Sequence, residues 1–162
     1  MMNPTIEWQL ALPDEAATIQ LGRPLAKVCD CPMHIYFQGE IGAGKTTLIR
    51  ALLRASGIAG TIGSPTYTLV EHYQTARYLI HHFDLYRLKD AEELEYLGWR
   101  DLFASDALCL VEWPEQGQRL LPAPDVNCLL DFKETGRVIQ FTGKSKLGVQ
   151  MINRLKTAVH DE

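Results

Sequence analysis

Gly39-Glu40-Ile41-Gly42-Ala43-Gly44-Lys45-Thr46 follows a short apolar run, HIYFQ at 34–38, and precedes a stretch with Leu48, Leu52 and Ala55 at helical spacing. The eight residues satisfy G-x-x-x-x-G-K-[ST], a loop that cradles phosphate groups. Glycines at 42 and 44 permit positive φ and bring backbone N–H groups close to an anion. A strand before the loop and a helix from 45 to about 56, stopped by Gly57, would aim the positive end of that helix at the anion. Lys45 is then placed to reach the β- and γ-phosphates, and the Thr46 hydroxyl to take one Mg²⁺ position. The expected ligand is a nucleoside triphosphate with Mg²⁺, held by Ile41, Gly42, Ala43, Gly44, Lys45, Thr46 and Thr47.

Such a loop needs a carboxylate at the end of a neighbouring strand, to hold the metal or orient water. Glu112 closes the apolar run LCLV and is followed by Trp113-Pro114; Asp84 closes YLIHHF. A carboxylate ending a buried strand is costly unless something cationic meets it, so both are candidates. A helix cap or an ion pair with Arg87 would also explain Asp84. By the period of two, His81 and His82 face opposite sides of their strand, and His82 shares a side with Asp84, which it could orient. Trp113 either packs as core or lines the nucleotide surface. Thr66, in Ser64-Pro65-Thr66, either shapes a turn or reaches the γ-phosphate as loops of nucleotide switches do.

Beyond the loop, a helix is expected from about Asp14 to Val28, kinked at Pro24. YTLVEHY and RYLIHHF, separated by Gln74-Thr75-Ala76, predict an antiparallel hairpin. Asp90, with Glu93 three residues on, predicts a short capped helix that puts Leu94 and Leu97 inward and ends at Gly98. Residues 126–132 and 137–142 read as a last strand pair. A final helix from about Ser145 turns Leu147, Met151, Leu155 and Val159 to the core. Strands interleaved with helices predict an α/β fold: a three-layer sandwich of the P-loop NTPase kind, its mostly parallel central sheet carrying an antiparallel hairpin. No linker or repeat divides residues 1–162, so one domain is expected.

Composition narrows the classes. Hydrophobic residues make up 46% and charged residues 22%, as in ordinary globular proteins. No apolar run is long enough for a membrane span and the N-terminus lacks a secretory pattern, so a cytoplasmic protein without membrane contact is expected. Cys29, Cys31, Cys109 and Cys128 lack metal-ligand spacing and read as reduced thiols, two of them buried. A net charge of −4 argues against broad contact with nucleic acid. Lys133, Arg137, Lys144, Lys146, Arg154 and Lys156 gather near the end of the chain, either as a solvated face or as a docking patch for an acidic partner or for RNA.

Several segments together resemble a known family. GEIGAGKTT, SPTYTLVEHY, HHFDLYRL with the following EELEYLG, and LCLVEWPEQG stand in the order and at the spacings of the bacterial TsaE (YjeE) family. The resemblance extends over nearly the whole chain, with Glu40 and Ile41 where that family typically has Asp and Leu. It implies the ATPase component of tRNA threonylcarbamoyladenosine synthesis, using ATP and Mg²⁺ and working with TsaB and TsaD. It implies phosphate and Mg²⁺ roles for Lys45 and Thr46, a metal-linked carboxylate in Glu112, a second acid in Asp84, and a switch-like role for Thr66. Adenine contacts are implied near Asp14 and Glu15, and tRNA is expected to be held by another subunit.

A small-molecule kinase is the chief rival, but Arg100 stands alone where an Arg-bearing lid would lie. A GTPase lacks its D-x-x-G and N-K-x-D signatures. A nucleotide-gated binding module with little turnover is the reading from outside enzymes. No arginine stands in an obvious position to act on the γ-phosphate.

Overall fold

A computed structural model describes residues 5–63, 65 and 68–161. Seven strands form one sheet: β1 (Ile6–Leu12), β2 (Met33–Gln38), β3 (Val70–Gln74), β4 (Leu79–Asp84), β5 (Ala107–Glu112), β6 (Val126–Lys133) and β7 (Gly136–Gly143). Their order is β1-β7-β6-β2-β5-β4-β3. The middle, β6-β2-β5-β4, is parallel. Antiparallel pairs close both edges, β3 on β4 at one and β7 with β1 at the other. The expected α/β architecture is therefore present, with the antiparallel share larger than one hairpin.

Strand composition follows position. β5 is buried along its whole length, as an unbroken apolar run in a covered parallel sheet must be. β1 alternates instead: Glu7, Gln9 and Ala11 face solvent while Trp8 stacks on Phe141 at 5.6 Å between ring centroids. This edge strand has no counterpart in the sequence expectations.

Helices α1 (Glu15–Val28), α2 (Lys45–Ala55) and α5 (Lys146–His160) cover one face, where Leu25, Leu52 and Leu155 meet Ile35, Phe37 and Leu110. On the other face the short helices α3 (Glu93–Tyr96) and α4 (Trp99–Ala104) bring Leu94, Trp99 and Phe103 onto Tyr36, Phe83 and Val111. Alternate residues of β2 and β5 thus feed two cores, as the strand period requires. α1 continues through Pro24. On α2 the buried stripe is Lys45, Leu48, Ile49, Leu52 and Leu53, which leaves Ala55 exposed on its flank rather than inward. Glu93 Oε2 accepts from the backbone N–H groups of Lys89 and Asp90, as the capping spacing predicts, but α3 begins only at Glu93, with Glu92 rather than Asp90 at its cap position and no side-chain cap. Gly98, at φ 68°, ends α3 and at once starts α4.

Three of the four free cysteines are buried, and burial pushes the Cys109 thiol up to about 12. Among the described residues no helix is long and apolar enough to cross a membrane.

Candidate functional site

The loop after β2 is shaped by two glycines. A Cβ on Gly39 would lie 2.4 Å from the Leu130 carbonyl oxygen of β6, so a larger residue cannot leave the strand here. Gly44 takes φ 109° immediately before α2, a conformation that L side chains rarely adopt. It also leaves the start of α2 without a side-chain cap. The other two long helices are capped: Asp14 Oδ1 accepts from the Ala17 N–H of α1 at 2.8 Å, and Ser145 Oγ from the Gly148 N–H of α5 at 3.0 Å. The first N–H groups of α2 are the ones left open to an external anion.

Lys45 is only 5% exposed. Its ammonium donates to the carbonyl oxygens of Gly39 and Glu40, the latter at 3.0 Å, and lies 4.3 Å from the centre of the Trp113 ring. Burial lowers its pKa, while Glu112, Glu115 and Asp84 oppose that shift. Trp113 itself takes a left-handed conformation, φ 57°, and its ring meets Tyr86 at 4.9 Å. Both expectations for Trp113 are met: it packs against the Phe83–Val111 core and also lines the cleft beside the loop.

Both candidate acids stand at the C-terminal ends of parallel strands, beside the loop, and Asp84 and Glu112 are register partners across β4 and β5. This end of an open α/β sheet is where ligands bind. Glu112, 2% exposed, has a partner on each oxygen: Thr46 Oγ1 donates to Oε1 at 2.8 Å, and His82 Nε2 lies 2.7 Å from Oε2. Asp84 Oδ1 accepts from the Tyr86 N–H at 3.1 Å. Burial, and secondly the charge of Glu112, raise the Asp84 pKa above the usual carboxylate range. His82 therefore meets Glu112 rather than Asp84, the partner its place on the strand suggests, because its ring reaches across to the next strand.

Ile41, Lys45, Thr46, Asp84, Tyr86 and Glu112 line a cleft of about 290 Å³. The Thr46 hydroxyl and the two carboxylates are oxygen donors, the set that suits Mg²⁺. Among the described residues no three His, Cys, Asp or Glu side chains form a cage on their own. Like-charged Asp84 and Glu112 are the arrangement a cation would relieve.

Across the loop lies a second cleft of about 160 Å³, lined by Asp14, Glu15, Thr18, Gly42, Ala43, Gly44, Thr47, Thr135, Gly136 and Arg137. Thr47 lines both clefts. Arg137 Nη2 donates to the Gly42 carbonyl at 3.2 Å, and the guanidinium stacks 4.2 Å from the Phe132 ring centre. The sequence marked Arg137 only as a member of the basic cluster; its place beside the loop comes from the β6–β7 hairpin folding back. The basic cluster of the sequence is thereby divided, since Arg154 pairs with Asp30 at 2.9 Å. Ile41, at the loop's tip, is 66% exposed. Thr66 lies outside the described residues.

A model of the family described as threonylcarbamoyl adenosine biosynthesis protein TsaE matches residues 12–139. The tRNA threonylcarbamoyladenosine biosynthesis protein TsaE of Haemophilus influenzae is 42% identical over 147 residues, 88% of this chain and 93% of that protein. The Bacillus subtilis protein of the same name is 33% identical over 118 residues, covering 72% of each chain. Among solved structures, Bacillus subtilis YdiB superposes with a TM-score of 0.78 at 22% identity, over 100% of this chain and 99% of that one, which establishes the shared fold. The motifs, the loop geometry and these relatives agree: the chain belongs to the TsaE family of threonylcarbamoyl adenosine biosynthesis proteins.

Proposed function

We propose that this chain binds ATP with Mg²⁺ in the loop 39–46 and hydrolyses it, serving the threonylcarbamoyladenosine modification of tRNA beside TsaB and TsaD. The observation that carries the reading is the Thr46–Glu112 contact at 2.8 Å beside the one long helix whose start is uncapped. Phosphates fit the open N–H groups of α2 and the backbone of Gly42, Ala43 and Gly44. Lys45 leaves its carbonyl partners and the Trp113 face to meet the β- and γ-phosphates. Thr46 and Glu112 would hold the metal, which when bound supplies charge neutralisation on the phosphates. Asp84, raised in pKa and beside Glu112, is placed to orient or deprotonate the attacking water. Thr66 is assigned to the γ-phosphate from the family resemblance alone. The second cleft takes the nucleoside end, with Asp14, Glu15 and Arg137 around it.

Among the described residues, those lining the Glu112 cleft include no arginine. A site without that charge is slow, and an arginine supplied by a partner is worth about 10³–10⁵ in rate. The isolated chain is therefore expected to hydrolyse ATP feebly and the TsaB–TsaD pair to stimulate it. Reconstitution with TsaB, TsaD, tRNA and the activated threonylcarbamoyl donor, reading modified adenosine and released phosphate together, tests the role. Repeated modification should need this chain and fail with Glu112→Gln; modification that proceeds equally well without it would refute the assignment.

A further inference from the structure

We propose that His82 is a positioning residue for Glu112, holding the carboxylate so that Oε1 stays on the Thr46 side of the cleft. The inference rests on the Mg²⁺–ATP reading above and adds to it a residue that never touches the ligand.

Glu112 is held from two elements at once. Thr46, on α2, engages Oε1, and His82, on β4, engages Oε2. His82 and Glu112 are 1% and 2% exposed, so water does not compete for the bond. An ionised carboxylate only accepts, so Nε2 must carry the proton that makes this contact. The other ring nitrogen, Nδ1, is buried without a partner among the described residues. A buried polar atom left unsatisfied costs stability, and an apolar side chain would avoid that cost, as Ile80 and Phe83 do on the same strand. The imidazole is thus a poor choice for packing alone and a good one for the Nε2 bond. Outer partners of this kind fix the direction of a metal-linked carboxylate.

His82→Phe removes the donor and keeps a ring of similar bulk; His82→Gln keeps an N–H donor at comparable reach. For His82→Phe, kcat should fall by about 10–100-fold with KM for ATP little changed. In the same variant, the Mg²⁺ concentration needed for half-maximal binding of a non-hydrolysable ATP analogue should rise, by calorimetry, and His82→Gln should restore most of both. Adding His82→Phe to Glu112→Gln should cost little more than Glu112→Gln alone, because both changes remove one arrangement. Long-range ¹H–¹⁵N spectra of the wild-type protein give a readout independent of mutant folding. They should show His82 protonated at Nε2, with its resonances moving more than those of the other four of five histidines in Glu112→Gln. A wild-type kcat and Mg²⁺ requirement in His82→Phe, a folded His82→Gln no better than the Phe variant, or protonation of His82 at Nδ1 alone would each overturn the proposal. Failure of the underlying reading looks different: the wild-type chain would then neither bind the Mg²⁺–analogue complex nor release phosphate.

Discussion

The two clefts flanking the loop share Gly42, Gly44 and Thr47 but hold their charges differently. In one, Glu112 is buried and gripped by Thr46 and His82, Asp84 stands next to it, and Lys45 is folded in against Trp113. In the other, Arg137 lies over the Phe132 ring and reaches the loop backbone through a single 3.2 Å bond. Charges fixed on strands and screened from water act strongly and reorganise little, as chemistry on a phosphate requires. Charges on a half-open hairpin contribute contact and choice of ligand, at smaller cost when lost. The first cleft should therefore govern turnover and, through Lys45, the hold on phosphate, whereas the second should affect binding alone.

The hardest test of that division is Glu112→Gln. Hydrolysis should fall by on the order of a hundredfold or more while ATP still binds, read by phosphate release and calorimetry on the same preparation. Comparable hydrolysis in the variant would shift the metal-linked role to Asp84. Lys45→Ala should weaken ATP binding by about 1.5–3 kcal/mol, the range for hydrogen bonds to charged groups, with the fold intact by circular dichroism. Unchanged affinity would remove the loop from the site.

Asp84→Asn separates function from stability. The Asp84 pKa is raised in the folded chain, so its contribution favours folding at low pH and is lost as pH rises through that raised value. At neutral pH the ionised side chain opposes folding. The variant should melt a few degrees higher than wild type at pH 7, lose that advantage in acid, and hydrolyse ATP more slowly. A lower melting temperature at pH 7 would mean that Asp84 stabilises the free protein. Arg137→Ala should have the smallest effect, a loss of about 1 kcal/mol in ATP affinity with kcat unchanged. A fall in kcat as large as that of Glu112→Gln would erase the division between the clefts.

What could be read from the sequence follows the distance over which each feature is encoded. The loop is eight consecutive residues between a strand and a helix, and its chemistry is local. Glu112 was legible because a carboxylate ending LCLV must be met by something. Arg137 was not, since only the β6–β7 register carries it back to Gly42. The partner of His82 depends in the same way on β4 lying beside β5; strand period gives the face but not the neighbour. IEWQLAL alternates as an edge strand does, yet nothing near it announces pairing with β7 at the far end of the chain. The resemblance to TsaE supplied what physics could not, namely the link to threonylcarbamoyladenosine biosynthesis and the partners proposed above.

The most direct test of the two-cleft division is a crystal structure with Mg²⁺ and a non-hydrolysable ATP analogue. Expected are the γ-phosphate and metal beside Thr46 and Glu112, Lys45 withdrawn from the Gly39 carbonyl, and the nucleoside beside Asp14 and Arg137. A nucleoside seated against Trp113 and Tyr86, or phosphates lying away from Glu112, would contradict it.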